Sequence, residues 1–152
     1  MSSLRDALWS MAAGALIPLM GVLNARLGRT LGEPLHAPVI LFLVGLTAST
    51  AAALMFTGRS PDFGRLVDAA PLDFAGGLIV AFYVISVTVL APRFGIANVI
   101  LFAMVAQIVC SSVINHFGLF NSMVKPVDLT QAFGISLLLI GLVITQLGHS
   151  KG

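Results

Sequence analysis

The sequence predicts an all-α membrane protein with five transmembrane helices. Apolar residues make up 58% of the 152 residues and charged residues only 9%, against about 25% charged in a soluble domain. Mean hydropathy is +1.03. The apolar residues also gather into five runs, 7–25, 37–57, 72–91, 96–117 and 129–147. Each run has about the 20 residues that a helix needs to cross the hydrocarbon. Together they predict a single five-helix transmembrane domain over 1–152, with short gaps and no room among these residues for a separate soluble domain.

The first run follows Arg5, as a signal peptide would. It is long for the apolar part of a signal peptide, however, and it ends in polar residues, so it is taken as a span. One face carries Trp9, Ala13, Leu16, Met20 and Asn24. Trp9 lies near the membrane edge, where an aromatic anchor is the usual role. Asn24 is a helix C-cap, an interface residue or a solute contact. Pro18 has no N–H to give the carbonyl of Gly14, and its ring crowds that carbonyl. A kink and a free acceptor at mid-depth are expected, making Pro18 and Gly14 a candidate hinge.

The second run contains no charge, and its Gly45 and Ser49 allow a close helix contact. In the gap after it, Arg59, Asp62, Arg65 and Asp68 recur every third residue, with Phe63, Leu66 and Val67 between them. That pattern fits either a short interfacial helix with internal ion pairs or a solvated loop. Asp73 is expected in the first turn of the third helix, where the dipole favours an acid. Tyr83 sits at the centre of that run and Ser86 one turn on. Tyrosines gather at membrane interfaces, so a midplane Tyr calls for a polar partner or a ligand. The tight stretch from Ala91 to Gly95 predicts antiparallel neighbours.

Gln107 lies at the centre of the fourth run, with Ser111 and Asn115 one and two turns on and Asn98 near its start. Lipid offers a mid-bilayer Gln no hydrogen-bond partner. The stripe therefore either lines a solute pathway or ties helices together, at ~0.6–2 kcal/mol per contact. Pro126 favours a start of the fifth helix just after it.

Other chemistry is excluded by what the runs lack. Apart from Asp73 no run holds an acid, Lys or Arg, so the buried carboxylate expected of a proton-coupled cation exporter is missing. His116 is the nearest titratable group, at the end of the fourth run. The single Cys110 can form no internal disulfide. There is no metal-binding spacing, phosphate loop or nucleophile–base pair, so neither an enzyme nor a cofactor is expected. The net charge of +2 is too small and scattered for a nucleic-acid partner.

The eight Lys and Arg residues divide evenly. With five alternating spans, Arg5, Arg59, Arg65 and Lys125 fall on one face, and Arg26, Arg29, Arg93 and Lys151 on the other. An excess of Lys and Arg on the cytoplasmic side normally fixes orientation. Without one the chain can insert both ways, and two copies can pair antiparallel.

Several strings carry a family resemblance. They are Leu23-Asn24-Ala25-Arg26-Leu27-Gly28, Phe42-Leu43-Val44-Gly45, Phe82-Tyr83-Val84, Ala91-Pro92-Arg93-Phe94-Gly95, Gln107, and Asn115-His116-Phe117-Gly118-Leu119-Phe120. In this order the chain resembles the YdcZ-like five-helix branch of the drug/metabolite transporter superfamily along almost its whole length. The resemblance implies a half-size transporter in the bacterial inner membrane, completed to ten helices by a second five-helix unit. It also implies a central pathway walled by the first, third and fourth helices, which points to Asn24, Tyr83 and Gln107. Two positions depart from the family pattern. Asn115 stands where an Asp is usual, and Met20 near where a Gln is common. Both departures remove polarity or charge.

The expected function is that of a dual-topology small-molecule transporter with alternating access. A neutral, zwitterionic or weakly charged solute would bind at the midplane between two inverted protomers. Asn24, Tyr83, Ser86, Gln107 and Ser111 would supply polar contacts, and Trp9 and Met20 apolar ones. The expected partners are the solute, the lipid bilayer and a second copy. The alternatives are a non-transporting scaffold or accessory subunit, and one half of a heterodimer with a paralogue.

Overall fold

The computed structural model describes Ser2–His149; Lys151 lies outside the described residues. Five long helices dominate the chain: α1 (Ser2–Leu31), α2 (His36–Thr57), α3 (Ala75–Phe94), α4 (Ile96–Phe117) and α5 (Leu129–His149). All five are long and apolar enough to cross a membrane. The chain forms two compact units, Met1–Ile96 and Ala97–Gly152.

In the first unit α1 packs on both α2 and α3. It runs six residues past the expected end at 25, because Arg26, Arg29 and Thr30 interrupt the apolar pattern without breaking a helix. The stop comes at Gly32, in the left-handed region at φ 75°. Asn24 is therefore a residue of the helix interior and not a C-cap. The helix is also continuous through Pro18. The turn into α2 is held by the Glu33 carboxylate, which accepts the Leu35 N–H at 3.4 Å. Gly28 permits the chain to double back here: a Cβ on it would lie 2.9 Å from the Pro34 Cα.

The buried residues of this unit are small and recur at helical spacing: Gly21, Asn24, Ala25 and Gly28 on α1, Ala37 and Pro38 on α2, and Val84, Val87 and Thr88 on α3. Positions three, four and seven apart share one helix face, and small side chains on it let the backbones approach. A Cβ on Gly21 would come within 2.9 Å of Val87 Cγ1 and 2.7 Å of Ile96 Cδ1. The C-terminal halves of α1 and α3 thus meet.

The segment rich in Arg and Asp forms a 3₁₀ helix, Phe63–Asp68. Three residues per turn align positions three apart, and Arg65 pairs with Asp62 at 3.4 Å. Both groups are well exposed, so the pair stabilises the fold little. The Asp62 carboxylate also accepts the Gly64 N–H at 3.0 Å. Asp73, expected in the first turn of the third helix, lies instead in a 3₁₀ turn, Pro71–Phe74, just before α3. There its carboxylate accepts the Ala70 N–H at 3.0 Å. The tight gap expected after the third span shrinks to Gly95, because α3 continues through Pro92 to Phe94. Proline removes only one donor in that last turn.

In the second unit α4 and α5 form an antiparallel hairpin tied near both ends. Gln146 Nε2 donates to Asn98 Oδ1 at 3.1 Å, and Gln131 Nε2 to Ser112 Oγ at 3.3 Å. The loop between them folds back onto the end of α4. The Lys125 N–H donates to the Asn115 carbonyl at 2.9 Å, the Val127 N–H to His116 Nδ1 at 3.0 Å, and Ser122 Oγ to the Ile114 carbonyl at 3.2 Å. Asp128 caps α5 by accepting the Gln131 N–H at 2.7 Å, so the helix begins just beyond Pro126, as expected.

Candidate functional site

A groove of about 320 Å³ runs between α1 and α2, lined by Met20, Leu23, Asn24, Leu27, Ile40, Leu41 and Val44. Asn24 is its one polar side chain, and it is only 4% exposed. Its amide Nδ2 donates to Thr88 Oγ1 on α3 at 2.5 Å. That hydroxyl in turn donates to the Val84 carbonyl at 2.7 Å. One hydroxyl thus accepts from α1 and returns its own proton to α3, which fixes the amide orientation. Asn24 Oδ1 makes no hydrogen bond, yet no buried side-chain nitrogen or oxygen among the described residues lacks a partner. That oxygen is therefore not fully buried, although the residue as a whole is.

The depth of this pair follows from helix rise. Asn24 lies seven residues before the end of α1 and Thr88 six before the end of α3. At 1.5 Å per residue that is about 9–10 Å from the helix ends. The pair thus lies between the middles of α1 and α3 and their C-terminal ends. Tyr83 lies about one turn deeper and is half-buried. Ser86 is also half-buried, and its hydroxyl is turned back to the Phe82 carbonyl at 2.7 Å. Trp9 is 80% exposed and borders a shallow groove with Leu4, Arg5, Leu8 and Ala12 on α1. Of the residues singled out from sequence, the first unit brings only Met20 and Asn24 into one groove. Pro18 is half-buried, and Gly14 has open space about its Cα.

In the second unit Gln107 is exposed at the middle of α4, and its side chain makes no hydrogen bond among the described residues. Ser111 is exposed as well, its hydroxyl donating to the Ile108 carbonyl at 3.0 Å. The buried serine is its neighbour Ser112, 7% exposed and held by Gln131. Asn115 and His116 are engaged by the loop. Sequence reasoning missed Thr88, Ser112, Gln131 and Gln146. A Ser or Thr in a span bonds its own preceding turn, so sequence alone does not mark the one that also meets a neighbouring helix.

No curated protein and no solved structure matches the chain. The sequence model of a family described as "Putative inner membrane exporter, YdcZ" matches residues 7–144, nearly the whole chain and all but the end of its fifth span. The chain belongs to the YdcZ family, and with five membrane-crossing helices it is a multi-pass inner-membrane protein with a transporter role.

Proposed function

We propose that the chain is a dual-topology small-molecule transporter working as an antiparallel homodimer, in which residues 1–152 act as one transmembrane domain. The observation that carries this is Gln107. It stands at mid-span, exposed, with no side-chain hydrogen bond among the described residues. An unpaired amide in hydrocarbon costs free energy that lipid cannot recover. A second copy or a bound solute supplies what the chain lacks. The even division of Lys and Arg supports the inverted arrangement.

The solute lies between the two inverted protomers. Tyr83 and Gln107 serve it near the midplane, with Ser86 and Ser111 one turn further along their helices. Asn24, its amide nitrogen held by Thr88, offers its free carbonyl oxygen from a more superficial depth. Met20 supplies groove wall, and Trp9 an apolar contact near the membrane edge. Gly14, whose carbonyl loses its helical donor to Pro18, lets α1 bend as the protomers exchange shapes. With no carboxylate or cation at these depths, the site suits a neutral, zwitterionic or weakly charged organic solute.

A ligand screen by thermal stabilisation of the purified protein tests this. A compound that raises the melting midpoint of the wild type and not of Gln107→Leu, with the variant still dimeric, is the expected result. Loss of the dimer in Gln107→Leu, with ligand stabilisation retained, would make Gln107 a helix tie and overturn its place in the pathway.

A further inference from the structure

Arg29 borders a pocket at the end of the first unit where α1 and α3 meet, and Arg26 and Arg93 lie close to its lining residues in sequence. The pocket, of about 130 Å³, is lined by Val22, Ala25, Arg29, Ala91, Pro92 and Ile96. Arg26 lies three residues before Arg29, so the two are neighbours on the helix surface, and Arg93 directly follows Pro92. Among the described residues no carboxylate pairs with any of the three; the ion pair of this unit is Arg65–Asp62. Glu33, the acid in the adjoining turn, is turned to the Leu35 N–H.

Depth and charge point to what these guanidiniums meet. A helix of 30 residues is about 45 Å long, against about 30 Å of hydrocarbon. The ends of α1 therefore stand in the headgroup layers. Arg29 lies two residues and Arg26 five residues from the C-terminal end. Guanidinium forks match phosphate oxygens in pairs. Apart from Arg29, the side chains that line the pocket, those of Val22, Ala25, Ala91, Pro92 and Ile96, are apolar, which suits the glycerol and first methylenes of a lipid. On alternating spans five of the six acids fall on the opposite face, and Glu33 alone on this one. The positive charge is thus concentrated here although Lys and Arg are evenly divided.

We propose that Arg26, Arg29 and Arg93 form a binding site for the phosphate of an anionic phospholipid headgroup. Basic pockets between transmembrane helices hold such headgroups.

The test is the melting midpoint of the purified full chain in neutral detergent, with phosphatidylglycerol, phosphatidylcholine or inorganic phosphate added. Phosphatidylglycerol is expected to raise the midpoint several degrees beyond phosphatidylcholine. The excess should vanish in the Arg29→Gln/Arg93→Gln double variant, persist in Arg59→Gln, and survive largely in Arg29→Lys. Should the double variant not purify, Arg29→Gln alone should show a reduced excess. Equal shifts with the two lipids, or an excess that persists in the Gln variants, would overturn the site. The same shift with inorganic phosphate and no lipid would overturn the lipid assignment in favour of a soluble anion.

Discussion

At the residue scale the Asn24–Thr88 contact joins the two helices that bury most of the first unit's core. Thr88→Val keeps the side-chain shape and removes the acceptor, stranding a buried amide nitrogen. A loss of ~0.6–2 kcal/mol is expected, read as a melting midpoint lower by a few degrees, whereas Thr88→Ser should restore most of it. Combining Thr88→Val with Asn24→Leu should cost less than the sum of the two, because residues in one network are not additive. Gly21→Ala should be harmful too. Its Cβ would press on Val87 Cγ1, and a β-branched valine has little rotamer freedom with which to yield. About 1–3 kcal/mol is expected for such overpacking, measured by thermal unfolding. Sequence made Asn24 legible as a polar residue facing something, because polar side chains are scarce in the spans. It did not make Thr88 legible, because Ser86 and Thr88 both satisfy themselves on the preceding turn and only packing tells which meets α1. Ser111 and Ser112 pose the same ambiguity, and there the expected stripe pointed to the exposed one.

At the element scale the five helices follow from the apolar runs, since backbone in hydrocarbon must satisfy its own hydrogen bonds. Helix ends are less legible. Hydropathy marks where a chain leaves the lipid and not where the helix stops, so α1 continues through Arg26 and Arg29 and α3 through Pro92. The loop after α4 was legible at Pro126 only. Its ties to Ile114, Asn115 and His116 depend on backbone groups that no residue pattern announces. Within it, Asp128→Ala removes the cap of α5 and should cost about 0.5–2 kcal/mol, with Asp128→Asn close to wild type in the same melt. The hairpin ties carry a further expectation. Gln146→Leu frees Asn98 Oδ1 from its bond across α4 and α5, and backbone amide exchange at the C-terminal end of α5 should quicken while its capped start stays protected.

At the scale of the whole molecule the chain buries little of itself. No span has more than 17% of its most apolar window buried, and two have none. Apolar surface of that extent needs lipid or a second copy to cover it. The balance of Lys and Arg keeps both insertions open, and one added charge should tip it. Ser60→Lys gives five positive residues to the face of Arg59 and should drive the C-terminus out of the cytoplasm. Thr30→Lys favours the face of Arg29 and should hold the C-terminus inside. Each variant alone should lose transport, and co-expression of the two should restore it.

The most direct measurement of the inverted pair is the side of the membrane on which the C-terminus lies. Two fusions at that end serve, one to a reporter that is active only in the cytoplasm and one to a reporter active only outside it. Comparable signal from both, collapsing to one side or the other in Ser60→Lys and Thr30→Lys, is the predicted result. A wild-type C-terminus found on one side only would contradict the dual topology and the antiparallel homodimer built on it.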